Sequence, residues 1–310
     1  MSLLNLPNPT ETPEVRAYYE DIYRFGINNT FDELQFSKGQ VSYGRLCKRL
    51  ASITLPDPSL LPYQTLSLEE LKRYIEEILN KLFDNAYKDE ITTLNSTIIL
   101  EPISNPFDAV LDETYEYDKL LKQKIHISNK LASVQVAVTA HEIVHALLSK
   151  YYGEEYNKHL NNIHYKELVS IIMEYIVCFE LSKILKEEDL MLKHKLTRLH
   201  ADHLHAKEKD DAANLARLMP TPSYRLYEEY TQHTGYGVII SDLYATRLLD
   251  LYKDDPIKLI SMVKGVIDGD TQIKELIKHY NLSFTDKPTT CGYYEKMEDA
   301  LGKSKKYQKK

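Results

Sequence analysis

Between Leu131 and Leu148 the chain is largely apolar, yet near the end of that run it carries His141, Glu142 and His145. A helix that is greasy nearly all round is a buried one. Buried histidines and a buried carboxylate must be paired or bound to something. Successive helical side chains turn by about 100°, so His141 and His145 lie only about 40° apart and one turn from each other. Two imidazole nitrogens at that separation can share one small cation. Tetrahedral Zn²⁺ accepts such a pair and still needs a third protein ligand and an open position. Glu142 projects about 60° round from His145. There its carboxylate could take a proton from water activated at the metal. The same spacing also arises by chance in long helices, and it is the apolar flanks that favour a metal site.

A third ligand must come from elsewhere, and His164, Glu167 and Glu174 are the downstream candidates. The segment from Tyr165 to Ile176 has a strong helical pattern with two glutamates seven residues apart, which face within about 20° of each other two turns along. On an otherwise apolar helix they need a metal or hydrogen-bond partners; the alternative is that both lie on a solvated face.

The pattern His-Glu-x-x-His, followed after 22 positions by Glu-x-x-Ser-x-x-x-Glu over Glu167, Ser170 and Glu174, resembles the thimet oligopeptidase and oligoendopeptidase F family of zinc peptidases. That resemblance implies Zn²⁺ bound by His141, His145 and Glu167, with Glu142 as general base and Glu174 supporting the ligands. The thermolysin type usually has Asp four residues after the ligand glutamate, where this chain has Ile171. The segment Tyr230 to Tyr236, followed by Tyr244-Ala245-Thr246, is similar to the family's His/Tyr region. The likeness implies that His233, Tyr236 and Tyr244 donate hydrogen bonds to the substrate carbonyl and developing oxyanion. A tyrosine-rich helix packing its rings inward is the other reading. The implied fold is mostly α, a gluzincin-like helical zinc peptidase domain with a small β-sheet or hairpin before the metal helix. The resemblance covers roughly residues 120 to 255, and family members are longer. With no internal repeat and no clear linker, a single mostly helical catalytic domain over 1–310 is the simplest description, with a reduced N-terminal lobe (1–120), a zinc-binding core (121–285) and a tail (286–310). The expected cleft is more open than in the family, with a looser limit on peptide length.

The remaining chain supports a helical protein. Helices are predicted over 13–24 and 31–50. Ser67 and Glu70 form a capping box for a helix to about Ala86, with Leu71, Tyr74, Ile75, Ile78 and Leu82 as its stripe. Strands are predicted over 96–100 and 124–128. The second could offer an open edge to an extended peptide or simply complete a stabilising hairpin. Ser128 or Asn129 would cap the metal helix, and Gly153 would end it. Further helices are expected over 165–185, 187–205, 210–218, 223–233, 237–252, 256–268 and 271–279. His194, His200, His203 and His205 could bind a metal at their spacing, but the charged run after them favours a solvated face.

With 43% apolar and 27% charged residues the chain has the balance of a globular protein. A net charge of -7 gives no global basic field for nucleic acid. Three scattered cysteines argue against a disulfide scaffold and for a reducing, cytoplasmic setting. No signal peptide is expected from the opening residues. The longest apolar stretch, Ile171 to Leu181, is broken by Glu174 and Glu180, so no membrane span is expected. A helical binding protein that keeps a peptidase scaffold without cutting is the alternative to an enzyme. The intact Glu142 disfavours it.

Overall fold

A computed structural model describes residues 50–52, 54–55, 61–102, 109–116, 119–158, 163–218, 238–239, 241–271 and 273–282. The helices predicted over 13–24 and 223–233, nearly all of 31–50, and the tail lie outside these residues. The described chain is mostly helical with one small sheet, as expected from the sequence.

Helix α1 (Leu68–Leu82) starts where the sequence places it. The Glu70 amide donates to Ser67 Oγ at 3.1 Å and the Ser67 amide donates to Glu70 Oε2 at 2.8 Å, which satisfies two donors that the first turn leaves open. Leu71, Tyr74, Ile75 and Ile78 are buried as predicted, together with Leu79. The helix stops four residues short of Ala86. Asp84 and Asn85 adopt left-handed backbone (φ 51° and 59°), and the Asn85 amide reaches back to the Asn80 carbonyl at 2.8 Å, the closing bond that ends a helix. Ile75 is fully buried in α1. Its replacement by alanine is expected to cost about 2–5 kcal/mol through lost contacts and the cavity left behind, measured as a shift in the urea midpoint.

Helix α2 (Lys88–Ser96) was not predicted. Its polar sequence buries only Ile91, Leu94 and Asn95, and it is fixed to α1 by Asn95, whose amide donates to the Lys72 carbonyl and to Glu76.

The sheet comprises β1 (Ile98–Glu101), β2 (Ala109–Glu116) and β3 (Lys119–Ser128) in the order β1-β3-β2. β1 runs parallel to β3, and β2 runs antiparallel to it. β3 is therefore central, which corrects the expectation that it offers an open edge. The edge nearest the metal helix belongs to β2, a strand whose acidic residues hid it in the sequence. The Leu111 amide donates to the Glu142 side chain and not to β3. By the alternation of an antiparallel pair, the backbone groups of Ala109, Leu111 and Glu113 face outward.

Helix α3 (Ser133–Lys158) is the hub, touching α1, α2, β2, β3, helix α4 (Ile163–Leu185), helix α5 (Leu190–Leu218) and helix α7 (Pro256–Ile267). Val134, Val136, Ala137, Ala140, Ile143, Val144 and Leu147 are all at 0% exposure, the all-round burial that the apolar run implies. Neither end matches expectation. The Leu66 amide bonds the Leu131 carbonyl and the Ser133 amide bonds the Gln64 carbonyl, so residues 131–133 pair with a distant segment and the helix begins later than Ser128 or Asn129. Gly153 lies within the helix. A glycine there weakens a helix by about 1 kcal/mol without ending it.

Helix α4 matches its predicted span closely. Helix α5 is one continuous element where two were expected. Residues 241–254 form helix α6, followed by α7 and helix α8 (Ile273–His279). Asp255 caps α7 through the Lys258 amide at 3.1 Å, with Pro256 in its first turn. Among the described residues no helix is long and apolar enough to cross a membrane, and Cys178 is a buried free thiol.

Candidate metal centre

The metal helix α3 and its neighbour α4 bring three side chains together. His141 Nε2 and His145 Nε2 face each other at 2.9 Å. Glu167 on α4 reaches both, with Oε2 at 3.5 Å from His141 Nε2 and Oε1 at 3.6 Å from His145 Nε2. Among the described residues this is the group of three whose ligand atoms could hold a metal ion.

The donor set fits such an ion. Bond lengths of about 2.0–2.1 Å at tetrahedral angles place ligand atoms roughly 3.3 Å apart, and the three separations bracket that figure. Two imidazole lone pairs facing at 2.9 Å repel unless a proton or a cation lies between them. His141 is already oriented for the task. Its Nδ1 lies 3.0 Å from Glu174 Oε2, and a carboxylate only accepts, so Nδ1 carries a proton and Nε2 offers its lone pair once a cation displaces the ring's second proton. Glu174 therefore lies behind His141 and is 1% exposed.

The carboxylates differ in electrostatic character. Burial raises Glu142, only partly countered by His141 and His145, so its carboxyl sits above the usual range. Burial also acts on Glu167, but His145 and His141 outweigh it and hold that carboxyl well below the usual range. Burial opposes a charged His141, yet Glu167 and Glu174 overcome it and push the imidazole up to about 10. Two acids whose environments push them apart in this way suit different tasks, one anion fixed and one proton exchanged. Glu142 Oε2 accepts from the Leu111 amide at 3.1 Å, which fixes the carboxylate between the sheet edge and the two histidines.

Several contributors were missed from the sequence. His194 on α5 is fully buried, with Nε2 2.8 Å from Glu174 Oε1. Arg198, one turn later, places Nη1 3.5 Å from Glu174 Oε2. Their i, i+4 spacing on a partly apolar helix was the available signal. The solvated face expected for this histidine group is thus incorrect: α5 packs against α3 and α4, and His203 Nδ1 bonds the Leu50 carbonyl at 2.6 Å. No second metal group forms there among the described residues. Leu111 was missed because its role belongs to the backbone. Tyr244 is buried on α6, two residues from Asp242, which accepts from the Tyr175 hydroxyl at 2.6 Å. His233 and Tyr236 lie outside the described residues.

No family model matches the sequence, and no curated protein matches it. Solved structures do resemble it. A crystal structure assigned as an oligoendopeptidase F from Bacillus anthracis str. Ames aligns with TM-score 0.54 and 15% identity, covering 94% of this chain and 57% of that one. A second, assigned as a peptidase from Chlamydophila abortus, aligns with TM-score 0.48 and 16% identity, covering 98% of this chain and 56% of that one. The chain therefore spans less than two thirds of the length of either neighbour. The likeness is one of fold, and the fold is peptidase-like.

Proposed function

We propose that the chain is a zinc metallopeptidase of the thimet oligopeptidase and oligoendopeptidase F kind, hydrolysing peptide bonds. The observation that carries this reading is the meeting of the His141, His145 and Glu167 donor atoms beside a half-buried Glu142. His141, His145 and Glu167 would hold the ion. When bound, Zn²⁺ would supply Lewis acidity towards the scissile carbonyl and lower the pKa of water beside it. Glu142, held at Oε2 by the Leu111 amide, takes the proton of the attacking water and passes it to the departing amine. Glu174 keeps His141 in the tautomer that offers Nε2. The outward backbone groups of Ala109 and Glu113, with the Leu111 carbonyl, give an extended peptide an edge to pair with beside the site. On resemblance alone we assign the oxyanion donors to His233, Tyr236 and Tyr244. We place the protein in a reducing, cytoplasmic setting on its cysteine usage.

The test is a library of quenched peptides incubated with the purified protein, with a chelator, and with Zn²⁺ restored. Cleavage that chelation removes and Zn²⁺ returns is the expected result. A protein that binds the metal and cuts nothing would instead be a binding module on a peptidase scaffold.

A further inference from the structure

Behind the metal centre lies a buried polar layer of which the proposed chemistry uses only Glu174. Glu174 has two oxygens, and each already serves a histidine: Oε2 faces His141 and Oε1 faces His194. A carboxylate at 1% exposure is costly to keep ionised without a compensating charge. Arg198 supplies that charge from α5, with Nη1 3.5 Å from Oε2 and a side chain only 12% exposed. We infer that Arg198 is a positioning residue for the proposed zinc centre, acting through Glu174 to fix the orientation of His141.

The way the guanidinium is used supports this role. Arginines that serve as structural clamps spend their fork of donors on hydrogen bonds. Among the described residues Nε and Nη2 have no hydrogen-bond partner, and Nη1 stands at ion-pair distance from Glu174. The side chain thus acts chiefly as a buried positive charge, shared with Asp242 on α6 and Asp202 on its own helix as well as Glu174. Tyr175, which donates to Asp242, also packs edge-on against the His194 ring at 4.7 Å between centroids. Glu174 is thereby held from α5 by a charge and a histidine, and its grip on His141 is only as firm as they are. Without Arg198, the buried carboxylate would keep its two imidazole partners but lose the charge that α5 sets beside it.

The inference rests on the proposed zinc site, so the experiment measures the parent first. Zinc affinity is determined by chelator competition on metal-stripped protein, with the urea midpoint of each metal-free variant recorded alongside. Arg198→Met is expected to weaken zinc binding about 10- to 100-fold, the range seen when an outer partner of a ligand is lost. Arg198→Lys, which keeps the charge, should retain an affinity close to that of the parent. In a Glu174→Gln background Arg198→Met should have no further effect. Lys193→Met removes another buried charge of α5, one paired with Glu187 and Asp189, and should lower stability while leaving zinc affinity at the parental value. A folded Arg198→Met variant with parental affinity overturns the inference, as does an equal loss in the Glu174→Gln background. If Arg198→Met does not fold, Arg198→Gln, which is polar but neutral, decides: parental affinity overturns, a loss supports. A parent that binds no zinc overturns the metallopeptidase reading itself.

Discussion

Glu142→Gln should abolish peptide cleavage to within about one part in a thousand of the parental rate while leaving zinc content unchanged. A positioned general base or acid contributes typically about 10²–10⁴-fold, and here one carboxylate serves in both directions. The amide cannot take a proton, but its oxygen can still accept from the Leu111 amide, so the side chain keeps its place. Nor does the exchange cost stability. Burial already disfavours the Glu142 anion, and a neutral amide at that position has no charge to desolvate. The urea midpoint of the variant should equal or slightly exceed that of the parent. Steady-state kinetics and metal analysis on the same preparation check the prediction. Cleavage at more than a tenth of the parental rate would remove Glu142 from the mechanism.

The second large effect concerns the metal. His145→Ala and Glu167→Ala should each weaken zinc binding by about two to three orders of magnitude. Structural zinc sites with four ligands bind with roughly 10–16 kcal/mol, so one ligand is worth about 2.5–4 kcal/mol. The two variants differ in what they leave behind. Loss of His145 leaves His141 and Glu167 at 3.5 Å, still a partial site. Loss of Glu167 leaves two imidazoles at 2.9 Å with no anion between them, and it should be the more damaging. Metal stoichiometry after dialysis and competition titrations distinguish these outcomes. A Glu167→Ala protein that retains one zinc per chain through dialysis would assign the third ligand elsewhere.

The centre was legible in the sequence to the extent that helical geometry alone determines it. His141, Glu142 and His145 share one turn, and a helix fixes their relation whatever surrounds it. Glu167 and Glu174 were legible as a pair for the same reason. Their separate tasks, one towards the two histidines and the other behind His141, depend on how α4 lies against α3. What failed was non-local. The charged stretch after His205 suggested solvent, but the helix continues through it and turns His194 and His203 inward. β2 escaped notice because its pairing partner, not its own composition, makes it a strand. The start of α3 was misplaced because residues 131–133 pair with the segment before α1, a contact that no local pattern announces.

Open strand edges are where folded proteins adhere to one another, because unpaired amides and carbonyls offer a template for a neighbour's chain. On β2 the middle outward amide, that of Leu111, is already taken by a carboxylate. A second molecule laid along this edge would find a gap in the ladder and a half-buried acid opposite it, so continuous zippering between copies is interrupted. A short flexible peptide can bend around such a gap, whereas a rigid sheet edge cannot. The same contact that holds the proposed base therefore also guards this strand edge against self-association.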